Sequence, residues 1–173
     1  AIYTFDDLGP VISLISPSTG TMNATPTTVT VFFNISLLFS SLDSTDIQVS
    51  GTCTSLPTVT YLNVSGATAS FGLTGAICAS SETVILSMDG SSVTDATGNL
   101  GSGSQTATYT IDNVGPTPRA ISPGSANFQN IPTTILVTYD KSILASSVIA
   151  SDLVVAGTCR ALPIASVVSV VGA

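Results

Sequence analysis

Histidine and tryptophan are both absent from this chain. Without an imidazole, Ser-His-Asp and Cys-His nucleophilic systems cannot be assembled, and zinc loses one of its two usual ligands. Basic residues are nearly absent too: Arg119, Lys141 and Arg160 stand against ten acidic residues, for a net charge of −7. A nucleic-acid surface requires a basic footprint, so that class of partner is excluded. The single lysine leaves no Ser-Lys dyad and no lysine cross-link in the first hundred residues. No apolar run approaches the ~18–20 residues of a membrane span, so membrane insertion by this segment is not expected. The opening residues lack a signal-peptide pattern, as expected of a mature or internal stretch. Glu82, Asp89 and Asp95 could supply a carboxylate pair for glycoside hydrolysis, but exposed turn carboxylates are far commoner. Gly101 to Ser104 does not join a strand to a helix, so it is a flexible connection and not a phosphate loop. No enzymatic activity is expected.

What the chain has is serine, threonine, glycine, alanine and valine. Charged residues are only 8% of it and hydrophobic residues 44%, which separates it from disordered low-complexity sequences that lack apolar content. It also repeats itself. Tyr3-Thr4-Phe5-Asp6-Asp7-Leu8-Gly9-Pro10 returns as Tyr109-Thr110-Ile111-Asp112-Asn113-Val114-Gly115-Pro116, an offset of 106 positions. The offset holds without a gap. Ile15-Ser16-Pro17 returns as Ile121-Ser122-Pro123, Pro26-Thr27-Thr28 as Pro132-Thr133-Thr134, and Gly51-Thr52-Cys53 as Gly157-Thr158-Cys159. Leu56-Pro57 returns as Leu162-Pro163 and Gly66-Ala67 as Gly172-Ala173. A period of this size is one domain per repeat. The division is therefore 1–10, last strand and linker of a preceding repeat; 11–112, a complete repeat; and 113–173, the first part of another. The second repeat would be completed either by further sequence or by strands from another chain.

Short apolar runs bounded by Gly, Pro, Asn and Ser predict strands at 11–15, 28–34, 47–49, 58–64, 67–73, 82–88 and 105–111, with one helical turn allowed between Ile35 and Thr45. The two copies settle a register: positions 29, 31 and 33 are apolar in both, whereas 30 and 32 exchange polarity with Leu136 and Thr138, so Val29, Val31 and Phe33 face the core. Seven short strands per repeat argue an all-β fold, tandem seven-stranded Greek-key β-sandwiches arranged end to end.

The three cysteines fit the repeat. Cys53 and Cys78 lie in the complete unit, Cys159 is the counterpart of Cys53, and the counterpart of Cys78 falls after Ala173. One disulfide per unit explains the number, with two unpaired thiols as the alternative. In a seven-strand Greek key the loops after the third and fifth strands share a pole, so the two can meet. Such a bond would close a loop of about 25 residues, contribute on the order of 3 kcal/mol and require an oxidising compartment.

The order Ile-Ser-Pro, Thr-Thr-Val-x-Val, Asp-Ile-x-Val-x-Gly, Asp-Ala-Thr-Gly-Asn, Thr-Tyr-Thr-Ile-Asp resembles the bacterial immunoglobulin-like repeats of large surface adhesins and biofilm-associated proteins. That resemblance implies a segment of a stalk on the bacterial cell surface, often stiffened by calcium at its joints. Its partners would be neighbouring repeats of the same chain and an unknown surface ligand. A subunit of a surface filament or sheath made by strand contacts between copies is the alternative, and a carbohydrate- or protein-binding module is a third. The sequons at Asn23, Asn34 and Asn63 arise by chance in Ser/Thr-rich sequence.

The acidic joint is where a cofactor is expected. Linker, second-to-third-strand loop and sixth-to-seventh-strand loop share one pole in this topology. They bring Asp6, Asp7, Asn34, Asp95 and Asn99 to the first joint; the second offers Asp112, Asn113 and Asp140. Three carboxylates, two amides and nearby carbonyls are a supply for Ca²⁺, which takes six to eight oxygens. The competing reading is that these residues form turns, hydrogen-bonding their own backbone.

Overall fold

The computed structural model describes residues 1–2, 4–166 and 169–170, Leu62 for its backbone only. Tyr3, which opens the repeated motif, and Gly172-Ala173, which close the aligned stretch, lie outside the described residues. The chain divides into two compact units, Ala1–Val114 and Gly115–Ala173.

The first unit is built of β1 (Ile12–Ser16), β2 (Gly20–Met22), β3 (Thr28–Phe33), β4 (Ile47–Gly51), β5 (Thr58–Ser65), β6 (Thr68–Thr74), β7 (Thr83–Asp89) and β8 (Ser104–Ile111). They form two four-stranded sheets, in the orders β1-β3-β6-β5 and β2-β8-β7-β4. Alternation fixes what each sheet buries. Val29, Val31 and Phe33 are 0%, 0% and 6% exposed, as the paired repeats required. Facing them are Val84, Leu86 and Met88 of β7 with Ala107 and Tyr109 of β8, in one continuous core with Ala69, Phe71 and Leu73 of β6. The helical turn expected after β3 is a short 3-10 turn at Phe39–Ser41.

The strand expected at 11–15 forms as β1, and β2 is an eighth strand that the sequence reading did not anticipate, lying in the other sheet. After Ser16 the chain turns at a cis Ser16–Pro17 bond, leaves β3, and joins β8 as the parallel strand β2, with Gly20 opposite Tyr109 and Met22 opposite Ile111. Two contacts secure the crossing: Tyr109 Oη donates to the Pro17 carbonyl at 2.7 Å and Thr108 N to Thr19 Oγ1 at 3.0 Å.

The second unit contains β9 (Pro118–Ser122) and β10 (Leu136–Tyr139). They pair antiparallel, Ile121 opposite Val137 and Ser122 opposite Leu136, with a register shift before Tyr139 opposite Pro118. At the repeat offset these are the pairs of β1 and β3, Ile15 with Val31 and Ser16 with Thr30, shifting before Ile12 with Phe33. The 3-10 turn recurs at Ala145–Ser147 and the cis bond at Ser122–Pro123. Residues 153–155, the repeat counterpart of part of β4, are not in a strand. Their counterpart β4 is held by pairing with β7, whereas among the described residues of the second unit only β9 and β10 are strands, and a strand needs an edge to pair with. Residues 1–2 and 4–10, read as the last strand of a preceding repeat, are likewise not in a strand. Ile121 of β9 is 55% exposed where Ile15 is 3%.

Candidate functional site: the acidic joint and the disulfide

At one end of the first unit the linker meets two loops. Asn34, where β3 ends, accepts Val11 N on its Oδ1 at 2.6 Å and donates its own N–H to Val11 O at 3.1 Å. Asn99 Nδ2 donates to the carbonyl of Asp6 at 3.0 Å, and Leu38 N donates to Thr94 O at 2.8 Å. Linker, β3–β4 loop and β7–β8 loop thus share one pole, as the sequence reading placed them. Gly101 belongs to the same seam, since a Cβ there would collide with the carbonyl oxygens of Gly90 and Pro10.

Asp95 organises this pole and, at 5% exposed, is the one buried charged residue among the described residues. Its Oδ1 accepts Thr97 N, Thr97 Oγ1 and Asn99 N at 2.9, 2.8 and 2.9 Å, and its Oδ2 accepts Asn99 Nδ2 at 3.1 Å. Burial works against its ionisation, but the donors on Thr97 and Asn99 outweigh it and hold the carboxyl down at about 2. Asp6 accepts the N–H of Leu8, and Asp7 is exposed.

Asp112 and Asn113 end β8 at the other pole. Asp112 accepts from Ser80 Oγ at 3.2 Å and Asn113 Nδ2 donates to Cys78 O at 3.1 Å. Asp140 belongs to the second unit. There it repeats the role of Asn34, accepting Thr117 N at 2.7 Å and Thr117 Oγ1 at 2.6 Å, with the Arg119 guanidinium 3.7 Å away. The hydrogen bonds from Thr117, helped by the charge of Arg119, lower its carboxyl below the usual carboxylate range.

These bonds bear on calcium. The acceptors that a cation would use on Asp95 and Asn34 already receive N–H and O–H donors, and a cation would have to displace them. Among the described residues, the only group of three His, Cys, Asp or Glu side chains whose ligand atoms converge is Cys53, Cys78 and Glu82. Its two sulfurs are bonded to each other, and its carboxylate accepts Ala79 N at 2.7 Å. The residues in this arrangement fit turns and caps better than a calcium cage.

Cys53 and Cys78 form a disulfide with a Cα–Cα distance of 4.5 Å. Both are half-buried against the core, and the backbone bridge Ser55–Ile77 runs beside them. Cys159 is free and exposed. Of the exposed rings, Phe39 is 61% accessible but meets Tyr61 edge-on, at 5.9 Å and 62°, which is not the flat platform a sugar stacks on.

No family model matches the chain, and no curated protein matches it. Three solved structures do. They are the N-terminal part of the bacterial S-layer protein SbsC (17% identity, TM-score 0.42), the longer fragment rSbsC(31-844) (18%, 0.39) and SbsC domains 1-6 (18%, 0.40). The matches cover 79%, 79% and 81% of this chain but only 29%, 17% and 17% of those chains.

Sequence reasoning missed Thr97, which supplies two of the four donors to Asp95, and the Tyr109 hydroxyl. Thr97 was readable in principle, because Asp-x-Thr is a pattern in which both the backbone and the hydroxyl of the third residue reach the carboxylate. Tyr109 gives no local signal, its partner being Pro17.

Proposed function

We propose that this chain is a non-catalytic structural segment of a repetitive extracellular protein at a bacterial surface. The observation that carries the reading is that the second unit reproduces the first: the same strand register, the same 3-10 turn and the same hydrogen bond from linker to strand end (Val11 to Asn34, Thr117 to Asp140). A chain that repeats its scaffold in this way suits a role in reach or in a lattice. The disulfide supports an oxidising, exported setting. The strand orders β1-β3-β6-β5 and β2-β8-β7-β4 support an immunoglobulin-like Greek key, with β2 as an extra edge strand beside the last strand.

Two finer readings separate. As a stalk, repeats hold a distal element away from the cell, and Pro10 and Pro116 restrict the joints. As a sheath or filament subunit, copies contact one another in order; the three similar structures are all titled as surface-layer proteins, which goes with this second reading. Sedimentation velocity and negative-stain microscopy of the purified chain test both. Single elongated particles favour the stalk and ordered sheets or filaments the sheath, while antibodies that label the producing cells only after lysis would remove both.

Calcium is a narrower proposal. Its ligands would be Asp6, Asp7, Asn34, Asp95 and Asn99 at one joint and Asp112, Asn113 and Asp140 at the next. The hydrogen bonds already made by Asp95 and Asn34 count against it, and a chelator that moves the melting temperature by less than about 1 °C removes it.

A further inference from the structure

In the first unit, where every expected strand is present, one sheet edge is long, neutral and open. From it we propose that two copies of this chain associate side by side through β5, antiparallel about a twofold axis at Thr60. The proposal rests on the sheath reading and names a lateral contact for it.

The backbone fixes which groups that edge offers. Leu73 N donates to Thr27 O and Phe33 N to Ala67 O, so Ala69, Phe71 and Leu73 of β6 turn their peptide groups toward β3. Their partners on β5 are Val64, Tyr61 and Val59, which therefore direct their N–H and C=O groups away from β6. β6 is the only strand that β5 pairs with. A register shift between Tyr61 and Asn63 sets Val64 out of step, leaving Val59 and Tyr61 as the regular pair of open sites.

The other three edges of the unit are blunted in the usual ways. β1 is closed where Ile12 N donates to Ser102 O, and it ends at Pro17. β2 is three residues long. β4 has five residues and follows Asp46 directly. β5 runs for eight residues without a charge or a proline, inside a stretch from Ile47 to Ser81 that holds no charged residue.

Charge and symmetry point to a second copy as the occupant. All three basic residues follow Val114, as do only Asp140 and Asp152 of the ten acidic ones, so the first unit carries eight negative charges and no positive one. Two such units repel unless they meet along a neutral surface, and the strands of β1-β3-β6-β5 contain no charged residue. A twofold contact sets the same strand against itself. Centred on Thr60, it places Val59 of each copy opposite Tyr61 of the other, exchanging N–H and C=O, with the two Thr60 side chains adjacent across the axis. Aromatic with β-branched and Thr with Thr are favourable cross-strand pairs. Phe39, 61% exposed and edge-on to Tyr61 at 5.9 Å, flanks the edge with apolar surface.

Charges placed on the axis test it with the full 173-residue chain. Sedimentation velocity of the unaltered chain should show a monomer–dimer equilibrium, with the Val59 and Tyr61 amides gaining exchange protection as the dimer forms. Thr60 is exposed, so Thr60→Lys and Thr60→Glu should leave thermal unfolding of the first unit unchanged. Each sets like charges opposite one another and should dimerise at least about tenfold more weakly. Their one-to-one mixture should regain association as heterodimers, which misfolded variants could not do. Dimers that survive both substitutions, or a mixture no tighter than its components, overturn this contact while the sheath reading stands. A chain that is monomeric at every concentration overturns the contact and the sheath together, leaving the stalk. Val59 and Tyr61 amides protected at every dilution also overturn it, because the edge would then be covered from within the same copy.

Discussion

Reduction of the Cys53–Cys78 bond should lower the stability of the first unit by about 3.5 kcal/mol. The two residues are 25 apart in sequence. Loop-closure entropy for a ring of that size is about 12 cal/mol/K, hence about 3.5 kcal/mol at 25 °C. That is a large part of the 5–15 kcal/mol typical of a domain. Both sulfurs are half-buried against the core, so the double variant Cys53→Ala/Cys78→Ala adds a small packing loss to the entropic one. With a urea slope of about 1–1.5 kcal/mol/M for a unit of this size, a loss of about 3.5 kcal/mol should lower the midpoint by roughly 2.3–3.5 M. The assay is urea unfolding followed by tyrosine fluorescence, which reports Tyr109 and Tyr61 inside the first unit. The unaltered chain, the same chain with reductant, and the double variant are compared. Reductant should reproduce most of the variant's shift and have no effect on the variant itself. A shift below about 1 kcal/mol would refute the reasoning, since the 54–77 segment would then have to be equally constrained without the bond.

Three further outcomes are expected. Asp95 should give the first unit an acid dependence: its folded carboxyl titrates at about 2, below the unfolded value of 3.8. The stabilisation is therefore full above pH 4 and lost as pH falls toward 2, and Asp95→Ala should flatten that part of the profile in melting curves. Tyr109→Phe removes the bond to the Pro17 carbonyl from a fully buried ring and should cost about 1–2 kcal/mol in urea unfolding, with β2 amides exchanging faster. Gly90→Ala should cost about 1–3 kcal/mol, because its Cβ would overlap the backbone carbonyl of Ser102.

How far the sequence could be read follows from the range of the interactions. Val29, Val31 and Phe33 were legible because alternation is local and the second copy disambiguated it. The disulfide was legible because the repeat turned an odd number of cysteines into a partial second set. β2 was not: Gly20–Met22 is three residues long with no apolar alternation, and it is a strand only because β8 offers an edge ninety positions away. The joint was legible in place but not in use. Asp6, Asn34, Asp95 and Asn99 do converge on one pole, yet their oxygens and amides serve backbone and hydroxyl groups, which composition cannot distinguish from a cation shell. Asp112 and Asn113 were assigned by analogy to the next joint, where their observed partners are Ser80 and Cys78 of their own unit.

That the second unit copies the first down to the pairing of individual residues is the claim on which the rest stands. NMR cross-strand contacts in the intact chain measure it directly. Backbone contacts between Ile121 and Val137 and between Ser122 and Leu136 should appear alongside those between Ile15 and Val31 and between Ser16 and Thr30. Pairing displaced by even one residue in the second unit, or no pairing there at all, would contradict the account.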